Sequence, residues 1–96
     1  MEIVWSESAR DDLEKILHYI DENWGSAVTL NFIEKLKHLL HLILLNPHTF
    51  QQSSEKKGLR RAVLTKQNTI YFQITDEFIQ IIRIFDTRQH PQKKEL

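Results

Sequence analysis

Chemistry in this chain is concentrated in the cationic side chains of its last forty residues: Arg60, Arg61, Lys66, Arg83 and Arg88, with His90 close behind. Arginine presents a planar fork of N–H donors that matches carboxylate and phosphate oxygens, so a converging set of such residues would grip an anion. Turning that grip into a nuclease further requires a proton acceptor and a proton donor, and His90, Tyr71 and Asp86 are the titratable candidates. Arg60 and Arg61 are consecutive on an extended run and must point to opposite faces. Only one of them can share a surface with Arg83. The alternative role for each arginine is a solvated head whose stem lies along a sheet.

Other chemistries find little support. His38 and His41 stand about one helical turn apart, yet no carboxylate joins them at a matching step, and no metal site is expected. With no cysteine and two glycines, the chain has no thiolate nucleophile, no disulfide framework and no Gly-rich phosphate loop. Asp11, Asp12 and Glu14 fall in the first turns of a helix, where the dipole favours negative charge without any catalytic role. Trp5 and Trp24 are expected to pack at the ends of elements. No cofactor is expected.

The elements that must position the cationic set are three β-branched and aromatic runs between Gly58 and Asp86. They are separated by the polar clusters Thr65-Lys66-Gln67-Asn68 and Thr75-Asp76-Glu77, the pattern of an antiparallel meander. In the last run Phe78, Gln80, Ile82, Ile84 and Asp86 alternate with Ile79, Ile81, Arg83 and Phe85. Neither side is wholly polar, which predicts a central strand.

Ahead of the meander, Glu2 to Trp5 predicts a short first strand. Ser6 then offers an N-cap, with a weaker capping-box variant from Ser8 to Asp11. Ala9, Leu13, Ile16, Leu17 and Ile20 form one apolar stripe at helical spacing. Asn23-Trp24-Gly25-Ser26 ends that helix, with Gly25 as a C-cap or turn residue and Ser26 as the next N-cap. A second helix is predicted from Ala27 to Leu45, with Val28, Phe32, Ile33, Leu36, Leu39, Leu40 and Ile43 on its main stripe. It stops before Asn46-Pro47. Its last two turns are apolar almost all round, and core burial is expected to account for them. Residues 47–57 read as a polar, exposed loop.

The expected architecture is therefore α+β in the order β-α-α-β-β-β. A short N-terminal strand and a two-helix hairpin precede the three-stranded antiparallel meander, with the helices packed on one face of the sheet. At 96 residues, the length suits one domain spanning 1–96. Charges cancel overall but not locally: residues 1–54 carry four Lys/Arg against eight Asp/Glu, and residues 55–96 carry nine against five. The meander half is basic, as a surface facing an anion or an acidic partner would be. No apolar run reaches membrane-spanning length and no signal-peptide pattern opens the chain, so a cytoplasmic protein without membrane contact is expected.

The order of motifs resembles the RelE/ParE superfamily of type II toxin-antitoxin toxins. The resemblance runs through Trp5-Ser6, Ala9, Asp12-Leu13, Ile16, Tyr19-Ile20, Trp24-Gly25, Asn46-Pro47, Leu59-Arg60-Arg61 and Ile70-Tyr71-Phe72. It closes on Ile81-Ile82-Arg83-Ile84-Phe85 and Arg88-Gln89-His90-Pro91. RelE-like members cleave mRNA on the ribosome with a basic constellation and a C-terminal Tyr or His, which here would implicate Arg83, Arg88 and His90. In this chain Asn68-Thr69 replaces an arginine of that branch, and Asp86 stands where many ribonucleases have His or Tyr. The resemblance is therefore nearer the ParE branch, which implies inhibition of DNA gyrase by binding, with Arg60, Arg61, Arg83 and Arg88 as the target- or anion-binding set. It also implies a cognate antitoxin encoded next to the toxin, seated in part on Leu17, Leu40 and Leu44, and a toxin-antitoxin hetero-oligomer.

Overall fold

The computed structural model describes residues 1–88, so His90 and Pro91 lie outside the described residues. Strand β1 (Glu2–Trp5) leads into helices α1 (Glu7–Trp24) and α2 (Ser26–Leu45), followed by β2 (Arg60–Val63), β3 (Asn68–Ile74) and β4 (Phe78–Asp86). The sheet order is β1-β4-β3-β2, which makes β4 a central strand. The meander pairs are antiparallel. β1 adds itself in parallel to the far side of β4, from Glu2 opposite Phe78 to Trp5 opposite Ile81, so the four-stranded sheet is mixed.

Sequence alternation along β4 hides an irregularity. Phe72 pairs with Ile81 but Tyr71 pairs with Arg83, leaving Ile82 as an extra residue on β4. Such a bulge reverses the parity of everything after it. Ile79 and Ile81 before the bulge and Ile84 after it all pack into the helix-covered core, whereas Ile82 and Phe85 join a smaller cluster with Leu59 and Tyr71. The mixed character of both alternating sets thus comes from a change of face within the strand as well as from central placement.

Ser6 joins strand to helix. Its Oγ accepts the Ala9 N–H at 3.0 Å as the N-cap of α1 and donates to the Ile82 carbonyl at 2.7 Å. Gly25 makes the turn between the helices at φ 88°, where a side chain would be strained, and its N–H closes α1 on the Asp21 carbonyl. Gly25 is also the N-cap of α2, which makes no side-chain capping bond. Ser26 is therefore the first helical residue and not the cap. Along the stripes, Ala9, Ile16 and Ile20 of α1 and Phe32, Leu36, Leu39 and Ile43 of α2 are buried over the sheet. Val28 departs from the expected stripe and is exposed.

Residues 47–59 are more structured than a polar exposed loop. Pro47–Thr49 forms one 3-10 turn. Phe50 packs edge-on to Phe72 with ring centroids 5.8 Å apart, and Ser53 is buried. The segment then hydrogen-bonds along the outer edge of β2, with Arg61 N–H donating to the Gln51 carbonyl at 2.9 Å and Ser53 N–H to the Leu59 carbonyl at 2.7 Å. Polar composition suggested exposure, but a sheet edge needs hydrogen-bond partners and this segment supplies them.

Candidate functional site

The cationic residues do not gather on one surface. Arg60 lies opposite Phe72 in the ladder, and its Nη1 donates to the carbonyls of Phe50 at 2.7 Å and His48 at 3.3 Å. Arg61 lies opposite Tyr71, which in turn lies opposite Arg83, so these three form a row across the sheet. Arg61, not Arg60, is the neighbour of Arg83. Lys66 is exposed in the β2–β3 turn.

Arg83 is committed to α1. Its Nε and Nη2 donate to Asp12 Oδ2 at 2.7 Å and Oδ1 at 3.0 Å, a fork-to-fork pair, and the Ile84 N–H adds a third bond to Oδ2 at 2.9 Å. The geometry follows from topology. β1 ends opposite Ile81, which leaves the last residues of β4 without a strand on that side. Ser6 takes up the Ile81 and Ile82 carbonyls, and Asp12 takes up the next N–H one turn into the helix. Asp12 sits at helical charge-favoured spacing, as the sequence suggests, but its carboxylate serves the strand.

Arg88 sits at the opposite pole of the helical hairpin. Its Nε donates to Asp86 Oδ1 at 3.2 Å, and its guanidinium carbon lies 5.0 Å from the Tyr19 ring centre and 5.9 Å from that of Trp24. The two rings pack edge to face at 5.7 Å, so the cation rests beside a small aromatic corner. Asp86 is 1% exposed, and Arg88 is the cation that balances it. The adjacent Asn68 is equally buried. Its Oδ1 accepts from Thr65 Oγ1 at 2.9 Å, while its Nδ2 has no partner.

Trp24, Thr65, Asn68 and Arg88 border a cavity of about 290 Å³ between the tip of the hairpin and the β2–β3 turn. Ile20 and Phe32 give it an apolar wall, Trp24, Val28 and Lys35 stand at its rim, and Asn68 and Arg88 supply donors. The sequence alone assigns Trp24 to packing and points to no role for Lys35 or Asn68. The available signal was an aromatic pair, Tyr19 and Trp24, closing a helix at a glycine.

On the sheet face away from the helices, Tyr71 is fully buried among Leu59, Phe85 and Ile82. Its hydroxyl and the Nε of Arg61 are buried without hydrogen-bond partners. Burial raises the phenol above its ordinary pKa of 10.0, Glu55 adds to the rise, and Arg61 opposes it. Of the residues expected to seat an antitoxin, Leu17 and Leu40 are half-buried against the core, and Leu44 is exposed together with Leu42 and Leu45. Among the described residues no helix is long and apolar enough to cross a membrane, and no group of three His, Asp, Glu or Cys side chains is placed to hold a metal ion.

Residues 3–91 match the family model described as the ParE toxin of type II toxin-antitoxin system, parDE. The chain belongs to the ParE toxin family. No curated protein matches it. Solved structures share the fold: a chain of the chromosomal ParDE TA system from P. aeruginosa superposes with TM-score 0.78 at 22% identity, covering 90% of this chain and 95% of that one. The YoeB/ParE toxin from Agrobacterium tumefaciens gives 0.66 at 15% identity, covering 90% and 98%. A chain of the E. coli DinJ-YafQ complex gives 0.61 at 18% identity, covering 91% and 93%. This ParE-family toxin therefore shares its fold with ParDE, YoeB/ParE and YafQ chains, a likeness that leaves its chemistry to its own side chains.

Proposed function

We propose that this toxin arrests growth by binding DNA gyrase in the cytoplasm, and that it is neutralised by a cognate antitoxin with which it forms a hetero-oligomer. The observation that carries the binding mechanism is the closure of Arg83 on Asp12, at 2.7 and 3.0 Å, with Arg88 turned onto Asp86. A guanidinium fork already filled by the protein's own carboxylate is a poor phosphate clamp. The two arginines also serve opposite structural ends, one at the strand edge and one beside the cavity. Membership of the ParE family supports the gyrase reading, and the antitoxin complexes among the structural neighbours support the partner.

An mRNA endoribonuclease remains the competing reading, since YafQ and YoeB chains share the fold. It needs Arg83 and Arg88 to act with His90, which lies outside the described residues, and it needs both arginines released from their carboxylates. The discriminating experiment is induced expression in a bacterial host without antitoxin, reading plasmid supercoiling and mRNA integrity from the same cells. Relaxed plasmid with intact mRNA is expected, and purified toxin should block supercoiling by gyrase. mRNA cut at codons, with supercoiling unaffected, would overturn the gyrase reading in favour of the nuclease.

A further inference from the structure

The cavity at the hairpin tip has the wrong polarity to be left to solvent alone. Its polar wall is rich in donors: Asn68 Nδ2 is buried with no acceptor, and Arg88 uses Nε and Nη2 on Asp86 and Asn68 while Nη1 makes no hydrogen bond among the described residues. Lys35 adds an exposed cation at the rim. A buried donor without an acceptor is destabilising, so such a site is completed by an incoming oxygen. The same cavity is also lined by Ile20, Phe32, Val28 and Trp24, which offer apolar surface. The matching ligand joins a carboxylate to an apolar body.

Size and position select the source. About 290 Å³ lies at the lower bound of small-ligand clefts, enough for one or two side chains and too little for a cofactor. The rim is open and formed by half-exposed Trp24 and exposed Val28 on the hairpin, a surface along which a peptide can lie. Aromatic and arginine side chains at a desolvated pocket are also the composition of an interface hot spot. We infer that this cavity receives an acidic side chain and the apolar residue beside it from the antitoxin, with Lys35 and Asn68 Nδ2 taking the carboxylate, assisted by the one Arg88 edge, Nη1, that Asp86 leaves over, and Trp24 and Val28 covering the apolar group. This assignment rests on the antitoxin partner proposed above. It places an anchor at the hairpin tip, away from Leu17, Leu40 and Leu44.

Trp24 makes the site observable, because Trp5 is the only other tryptophan in the sequence. In a Trp5→Phe background with its own antitoxin, binding is expected to shield Trp24 from acrylamide. Lys35→Glu is expected to weaken antitoxin affinity about tenfold or more, mainly through faster dissociation. The control Lys15→Glu, an exposed lysine of α1 outside the cavity, should leave affinity within about twofold. Antitoxin binding with Trp24 still quenchable, or equal losses from Lys35→Glu and Lys15→Glu, would overturn the cavity assignment and leave the partner standing. Absence of any binding by the wild-type toxin would instead remove the partner reading itself. Protection of Trp24 by gyrase but not by antitoxin would also overturn the assignment, reassigning the cavity to the target.

Discussion

The two faces of the sheet solve the same burial problem with very different completeness. Among the described residues, thirteen buried side chains from both helices, β2, β3 and β4 form one apolar cluster on the helix-covered face, including Ile79, Ile81 and Phe72. Among the described residues the other face buries a smaller apolar set, Leu59, Tyr71 and Phe85, with Ile82 beside them, and leaves the Tyr71 hydroxyl and Arg61 Nε without partners. The first face is optimised for stability. The second retains unsatisfied polar capacity, which a region selected for packing alone would have removed.

Neighbouring residues make the comparison testable, because Tyr71 and Phe72 belong to opposite clusters. Phe72→Ala should be the most damaging change, lowering stability by about 3–5 kcal/mol and shifting the urea midpoint accordingly, since it empties the centre of the core and strands Phe50. A loss under about 1 kcal/mol would mean the helix face is not the principal core. Arg88→Ala should follow at about 2–4 kcal/mol, because it leaves buried Asp86 without a cation. The double change with Asp86→Asn should recover part of that loss, as a double-mutant cycle would measure.

Asp12→Ala should cost about 2–3 kcal/mol by releasing both the Arg83 fork and the Ile84 N–H at the strand edge. Hydrogen exchange should then quicken at Ile84 before it quickens at Ile79, which lies where β1 covers the edge. Tyr71→Phe, by contrast, should be neutral or slightly stabilising at pH 7, within about 1 kcal/mol, because the hydroxyl it deletes has no partner. The same variant sharpens the contrast in alkali. With the folded phenol raised above 10.0, the native state holds its proton where the unfolded chain has lost it, so wild-type stability should fall as pH rises past 10. Tyr71→Phe should flatten that fall. An equal alkaline decline in both proteins would rule out Tyr71 as its source.

Local pattern carried much of this fold. The stripe from Ala9 to Ile20, the cap at Ser6, the helix junction at Trp24-Gly25 and the central position of β4 all follow from spacing, since side-chain period and turn chemistry act over a few residues. The motif order was enough to place the chain near ParE toxins. What spacing could not supply were the relations made across the chain: the parallel docking of β1, the extra residue at Ile82 that turns β4 over, and the pairing of Asp12 with Arg83, separated by 71 residues. Nor does composition reveal that Ser53 is buried or that Asn68 Nδ2 faces no acceptor. Those facts belong to tertiary structure, because a polar group's partner is decided by which distant backbone and side chains arrive beside it, and a residue's own type fixes only what it is able to donate or accept.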